Sequence, residues 1–335
     1  MSKIGVLGAG SWGTALALVL AKNGHEVVLW SALSSEIELL KENREHKERL
    51  PGVILPDSIQ IEASLEIACK EKDLLVFSVA SPYVRSTAKQ VAPYLCDGQV
   101  LVNVAKGIEE TTLMTLSEIL EEELPKANVA VLSGPSHAEE VSRGIPTTVV
   151  VGAKTKQIAS FVQEIFMNEL FRVYISPDII GIELGGSIKN VIALAAGVID
   201  GLELGDNTKA ALMTRGIAEM SRLGTAMGGR METFSGLSGI GDLIVTCTSK
   251  HSRNRNAGYL MGKGYTAKEA MDEVKQVVEG VYSAKAALML AKKYQVSMPI
   301  VEEVNQVLFE GKTAKEALED LFAREKRKEY SDLSW

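Results

Sequence analysis

The residues best suited to chemistry in this sequence are a lysine, an acid and a cluster of cations, each set among glycines. Lys189 and Asn190 fall within residues 182–194, IELGGSIKNVIAL, a helical stretch rich in apolar residues and glycine. An ammonium placed there without partners is costly. Beside a carboxylate that orients it, the same ammonium becomes a proton donor or acceptor. The bland alternative is a surface lysine that snorkels. Residues 235–246, SGLSGIGDLIVT, deliver Asp242 and Thr246 at helical spacing on one face. On this pattern alone Asp242 could cap a helix and nothing more. Residues 249–256, SKHSRNRN, gather Ser252, Arg253 and Asn254 with further cations and amides in an otherwise acidic chain. Arginine offers a planar fork of donors suited to phosphate, and Ser and Asn can serve the remaining oxygens. A solvated basic loop is the alternative.

A second kind of site opens the chain. Gly8, Gly10 and Gly13 form GxGxxG directly after a predicted strand and at the start of a predicted helix. In that context the first glycine permits a tight turn, the second lets backbone approach a pyrophosphate, and the third allows close helix packing. The helix N-terminus then turns free N–H groups toward the phosphates. The usual fingerprint adds an acid at the end of the second strand to hold a ribose 2'-hydroxyl. This chain reads Trp30-Ser31-Ala32 there, with neither that acid nor an arginine for a 2'-phosphate, so NAD and NADP both remain open. Ser31 can hydrogen-bond to either group. Two further loops, 103–109 with Lys106 and 133–138 with Gly134, Ser136 and His137, follow strand ends, where ligands bind in open α/β sheets. A lone histidine at a helix start is more often structural, so His137 is set aside. No His/Cys/Asp cluster has metal-ligand spacing, and no metal is expected.

Elements must hold these residues. To about residue 175, short β-branched runs at 3–7, 26–30, 73–79, 99–104, 128–132, 147–151 and 171–175 alternate with helical segments. That rhythm predicts a parallel sheet covered by helices on both faces, and apolar runs fit strands buried on both sides. The first helix should end at Asn23-Gly24. Residues 43–57 are polar, carry Pro51-Gly52 and Pro56, and read as a surface loop able to lie over a site. Beyond Ser176-Pro177 the strand signal fades. Amphipathic stretches at 178–200, 207–228, 267–275, 280–294 and 299–321 predict a helical second domain. The expected division is 1–177 and 178–335, with a solvated tail from 324 to 335. The fold class is α/β: a doubly wound Rossmann domain followed by an all-helical domain.

With 335 residues, 46% of them hydrophobic and 24% charged, the chain can bury a large core in two domains. A net charge of −7 argues against broad binding to nucleic acid or anionic lipid. Any phosphate must be held locally. The three cysteines are scattered without a CxxC pair, and the apolar run 191–199 is short of the roughly 20 residues of a membrane span. The committed N-terminal strand leaves no room for a cleavable signal, so a cytoplasmic protein without a membrane span is expected.

The strings GAGSWGTALA at 8–17, NVAKGIE at 103–109, SGPSHAEEV at 133–141, KNVIALAAGVIDGL at 189–202, GDNTKAALMTRGIAEM at 205–220, GLSGIGDLIVTC at 236–247 and SRNRNAG at 252–258 cover nearly the whole chain in order. Together they resemble bacterial NAD(P)-dependent glycerol-3-phosphate dehydrogenase. The resemblance implies hydride exchange between NAD(H) or NADP(H) and the pair dihydroxyacetone phosphate and sn-glycerol 3-phosphate, which supplies the glycerophospholipid backbone. It also implies a homodimer and a site between the two domains. Lys189 would be the catalytic proton donor or acceptor. Lys106, Gly134, Ser136, Lys189, Asp242, Ser252, Arg253 and Asn254 would contact substrate, with Asn190 and Thr246 completing the polar group around the lysine. Gly8, Gly10, Ser11, Trp12, Gly13, Ser31, Lys106, Ala138, Arg253, Val277 and Glu279 would hold the cofactor. The family often reads LWAR where this chain has Leu29-Trp30-Ser31-Ala32. That departure predicts that Ser31→Arg shifts preference toward NADPH. Rival readings are another two-domain reductase of the hydroxyacid or ketopantoate type, and a non-catalytic NAD(P)H-binding regulator.

Overall fold

In the computed structural model, residues 1–326, 328 and 329 are described, so the far end of the tail predicted to be solvated lies outside the described residues. Eight strands form one sheet: β1 (Lys3–Leu7), β2 (Glu26–Trp30), β3 (Ile59–Glu62), β4 (Leu74–Phe77), β5 (Val100–Asn103), β6 (Asn128–Ser133), β7 (Thr147–Ala153) and β8 (Phe171–Ser176). Their order is β3-β2-β1-β4-β5-β6-β7-β8. The first six are parallel and follow the doubly wound dinucleotide order, with its switch point between β1 and β4.

Two features depart from the sequence expectation. β7 runs antiparallel to β6, so the sheet is mixed rather than wholly parallel. β3 was not among the predicted strands. It is an edge strand that alternates buried Ile59 and Ile61 with exposed Gln60, and a search for continuous apolar runs passes over that pattern.

Both faces are covered, as the alternation of side chains along a strand requires. Ile4 and Val6 of β1 join Leu16 and Leu20 of the helix Ser11–Lys22 and Val162 and Phe166 of Lys156–Phe166 in one core. Leu7 and Phe77 join Ala68, Val84, Ala88 and Ile119 from three helices on the other side. Each buried Leu or Val contributes roughly 1.5–3 kcal/mol relative to an exposed one. The first helix ends at Asn23, and Gly24 adopts φ +81°, the expected left-handed stop.

After β8 the described residues contain only helices. The longest, Ile179–Gly201, is the axis of the second core and is called the core helix below. By length and composition it could cross a membrane, which the apolar run 191–199 alone did not reveal, but 83% of its most apolar window is buried inside the protein. The stretch 299–321 is two helices, Pro299–Phe309 and Ala314–Ala323, broken where Gly311 takes φ +76°.

Two helices beyond β8 were missed, the four-residue Met231–Phe234 and a longer one. Residues 253–262 form the helix Arg253–Gly262, capped by Ser252, whose hydroxyl accepts the Arg255 N–H at 3.2 Å. It crosses the core helix at unusually close range. A Cβ on Gly197 would stand 2.0 Å from the Arg255 carbonyl oxygen, and one on Gly258 2.0 Å from that of Leu194. Glycine on both helices lets the backbones meet, and this sets the N-terminus of the second helix against the Lys189 turn of the first.

Candidate active site

Lys189 lies midway along the core helix and is 5% exposed. Its Nζ donates to Asp242 Oδ1 at 2.6 Å and to Thr246 Oγ1 at 2.6 Å. Asp242, 1% exposed, opens the helix Asp242–Thr248 directly after a π turn over Leu237–Gly241. That turn is seated on the core helix: Ser238 Oγ donates to the Ile182 carbonyl at 2.7 Å, and a Cβ on Gly185 would come within 2.5 Å of the Ser238 carbonyl oxygen. The second glycine-rich stretch therefore exists to bring Asp242 against Lys189.

The other carboxylate oxygen of Asp242 serves the sheet. Lys106, in the loop after β5, donates from Nζ to Asp242 Oδ2 at 2.6 Å and to the Gly134 carbonyl at 3.1 Å. Gly134 follows β6 at φ +138°, and its carbonyl also accepts Ser136 Oγ at 2.9 Å. One buried acid thus bridges two lysines, one from each half of the molecule. Burial pushes the Lys189 ammonium down from 10.5; Asp242 opposes that and Lys106 adds to it, leaving a value of about 8. Burial alone would raise the Asp242 carboxyl, but the charges of Lys106 and Lys189 outweigh it and hold the group below its ordinary value. The result is a fixed anion beside a lysine poised to exchange a proton near neutral pH.

Arg253 and Asn254 occupy the first turn of the helix packed on the core helix, where backbone N–H groups and the helix dipole favour an anion. Asn254 Nδ2 donates to Asn190 Oδ1 at 2.9 Å, and Asn254 Oδ1 accepts the Gly280 N–H at 2.8 Å. Arg253 stays exposed, in the field of Glu279, Glu139 and Arg49. Arg255 is committed elsewhere, with Nε donating to Asp200 Oδ2 at 2.6 Å.

The glycine loop fits a dinucleotide. Gly8 takes φ +114°, and a Cβ there would meet the Ser78 carbonyl oxygen at 2.6 Å. A Cβ on Gly13 would fall 1.9 Å from the Gly8 carbonyl oxygen. The loop is closed beneath by β4 and by its own helix, while Gly10, which precedes that helix, has only an arginine tip nearby, at 3.5 Å. Space above the helix N-terminus is what a pyrophosphate requires.

A family model for the N-terminal part of NAD-dependent glycerol-3-phosphate dehydrogenase matches residues 3–159, and one for the C-terminal part matches 178–319. The chain belongs to the NAD-dependent glycerol-3-phosphate dehydrogenase family. A glycerol-3-phosphate dehydrogenase [NAD(P)+] of Agathobacter rectalis is 63% identical over 335 residues, covering 100% of both chains. That of Bacillus subtilis is 52% identical, covering 99% of this chain and 97% of its own. The crystal structure of the glycerol-3-phosphate dehydrogenase of Coxiella burnetii superposes with a TM-score of 0.94 at 37% identity, covering 96% and 99% of the two chains. A ketopantoate reductase of Ralstonia eutropha shares the fold, with a TM-score of 0.62 at 15% identity.

Within this dehydrogenase framework the structure brings together Lys189, Asp242, Thr246, Lys106, Gly134 and Ser136, and beside them Asn190, Arg253 and Asn254. It gives some of them other partners than expected. Asn190 turns to Asn254 rather than completing the polar group around Lys189. Ser252 is buried and spends its hydroxyl on its own helix. Ser31 is also buried, with its hydroxyl donating to Glu36 and accepting the Leu33 N–H.

On the cofactor side, Ser11 Oγ donates to the Arg49 carbonyl at 2.9 Å, Trp12 packs against the sheet core, and Ala138 is buried. Glu279, with Val277 just before it, accepts Ser81 Oγ at 2.5 Å and the Ser81 N–H at 3.2 Å. It thereby ties the helical half to the loop after β4. His137 is half-buried beside the Val245 carbonyl, and burial lowers its pKa.

Sequence reasoning missed Ser81, Glu183 and Glu36. Glu183 sits in the same apolar helix as Lys189, accepts the Ser117 N–H at 2.9 Å and Ser117 Oγ at 2.5 Å, and is raised by burial to about 7. The signal was available, because an acid inside an apolar helix needs a partner as much as a lysine does.

Proposed function

We propose that this chain reversibly reduces dihydroxyacetone phosphate to sn-glycerol 3-phosphate. NADH or NADPH, when bound, supplies the hydride. Lys189 gives its proton to the alkoxide oxygen that forms at the ketone carbon, and takes it back in oxidation. Asp242 orients Lys189 and keeps its ammonium available, and Thr246 fixes the third direction around Nζ. Lys106, anchored by Asp242 and Gly134, flanks the same space. The N-terminus of the helix Arg253–Gly262, with Arg253 and Asn254, takes the phosphate, so binding of that remote group positions the reacting carbon. Residues 1–177 then hold the cofactor and 178–335 complete the reaction site.

The observation that carries this reading is the Asp242 carboxylate, with 2.6 Å contacts to Lys189 and to Lys106 from opposite halves of the molecule. It is the arrangement a proton-transferring lysine needs, and it lies next to an anion site. A regulator that only binds NAD(P)H has no use for it. A cytoplasmic location belongs to the same reading: Cys69, Cys96 and Cys247 are all free thiols, as suits a reducing compartment. The test is oxidation of NADH and NADPH with dihydroxyacetone phosphate beside unphosphorylated ketones. Rapid turnover restricted to the phosphorylated ketone is expected. Equal use of 2-keto acids would sink the proposal.

A further inference from the structure

The end of β2 lacks both the acid and the arginine that read a 2' position, yet the fold brings one of each to that place from farther along the chain. Glu36, in the first turn of the helix Ser34–Asn43, is 8% exposed. Its Oε2 accepts the Ser31 hydroxyl. Its Oε1 shares a 2.8 Å hydrogen bond with His46 Nε2 and lies 3.2 Å from Arg49 Nη1. The Arg49 side chain is 37% exposed, and its Nη1 is the atom a Cβ on Gly10 would meet at 3.5 Å. The same residue accepts the Ser11 hydroxyl on its carbonyl at 2.9 Å.

The loop that carries these groups is pinned. Arg44 donates to the carbonyls of Leu55 at 3.3 Å and Ile59 at 2.9 Å, and Arg143 to that of Pro51 at 3.3 Å. Arg44 is thereby occupied, while the Arg49 guanidinium stands beside Gly10 of the glycine loop. Burial raises the Glu36 carboxyl, but hydrogen bonds from His46 and Ser31 and the Arg49 charge outweigh it and hold the group below its ordinary value. It is an anion at neutral pH.

We propose that Glu36 and Arg49 together read the adenosine 2' position of the cofactor. Glu36 is the carboxylate that β2 does not provide, and it favours a 2'-hydroxyl. Arg49, half neutralised by Glu36, is the cation that tolerates a 2'-phosphate. Opposed charges a salt bridge apart make the site permissive, and each restrains the other. The inference rests on Gly8, Gly10 and Gly13 holding the pyrophosphate, as read above.

The experiment is calorimetric binding of AMP and of adenosine 2',5'-bisphosphate to the wild type, Glu36→Gln and Arg49→Met, with NADH displacement as a check. The readout is the ratio of the two dissociation constants. Glu36→Gln removes the anion that repels a 2'-phosphate and releases Arg49. The preference for the bisphosphate should rise about tenfold or more, and it should fall by a similar factor in Arg49→Met. The ratio of kcat/KM for NADPH to that for NADH should move in the same two directions. A merely structural role weakens both nucleotides alike and leaves the ratio still, because the folded fraction cancels. An unmoved ratio, or one that moves the same way in both variants, overturns the assignment of Glu36 and Arg49. Failure of both nucleotides to displace NADH from the active wild type overturns the glycine-loop reading, and this inference with it.

Discussion

Two places in this molecule use the same device, a buried carboxylate shared by two nitrogen-bearing side chains, and they differ in how far along the chain the partners come from. Asp242 holds Lys189, 53 residues away, and Lys106, 136 residues away. Glu36 meets His46 and Arg49 within one helix and the loop that follows. The first cluster joins the core helix, a π turn and a strand-end loop, so it is assembled only when both halves have folded onto each other. The second is local and stands on a surface loop. Chemistry is thereby tied to the whole fold, while the end that distinguishes one cofactor from another can change by single substitutions without disturbing the lysine.

If that contrast is right, the largest effects belong to the long-range cluster. Lys189→Ala should lower turnover by about 10² to 10⁴, the usual contribution of a positioned general acid, with NADH affinity retained. Steady-state kinetics beside NADH fluorescence titration separates the two. Loss of NADH binding along with turnover would mean that the lysine supports the fold rather than the reaction. Arg253→Ala comes next. It should weaken dihydroxyacetone phosphate by about 10- to 150-fold, the range of a charge-assisted contact, and dihydroxyacetone far less. Equal losses in kcat/KM for both ketones would remove Arg253 from the phosphate.

A smaller, continuous effect follows from pH. Reduction needs Lys189 protonated, so its kcat/KM should be full well below about 8 and fall as pH rises through that value, while oxidation should rise over the same interval. In Asp242→Asn the charge that opposes the lowering is gone, and both midpoints should move to lower pH. A midpoint that stays in place would show that Asp242 does not set the charge of Lys189.

How much of this was legible follows from the same contrast. The βα rhythm and GxGxxG are local patterns, and they led directly to seven of the eight strands and to the phosphate loop. The alternating edge strand β3 and the antiparallel β7 depend on where a strand lies in the sheet, which local pattern does not carry. Lys189, Asp242 and Thr246 stood out in two separate glycine-rich stretches, and the family resemblance is what grouped them. The helix Arg253–Gly262 was hidden because its polar first turn reads as a loop. Its close seat on the core helix comes from Gly258 against Gly197, a contact between distant segments. Glu36 was overlooked for the opposite reason: the expected acid was sought at the end of β2, and the one that serves lies just beyond it, folded back by a turn at Ser31 and Leu33.

Ser31→Arg gives the smallest expected effect and the sharpest check on the local cluster. From the sequence alone, an arginine placed just after the second strand offers a guanidinium to a 2'-phosphate and should shift preference toward NADPH. In the structure Ser31 is 6% exposed and its hydroxyl is bonded to Glu36. An arginine there meets that carboxylate first. Part of its charge is then neutralised before any 2'-phosphate arrives, although the pairing also loosens Glu36 from Arg49. The ratio of kcat/KM for NADPH to that for NADH should therefore rise, but by less than about tenfold and by less than in Glu36→Gln. Combining the two substitutions should release the full effect, because the new guanidinium no longer has a carboxylate to pair with. A double variant no better with NADPH than the Glu36→Gln single variant would show that position 31 points away from the ribose, and that the reading of the 2' position belongs to the loop alone.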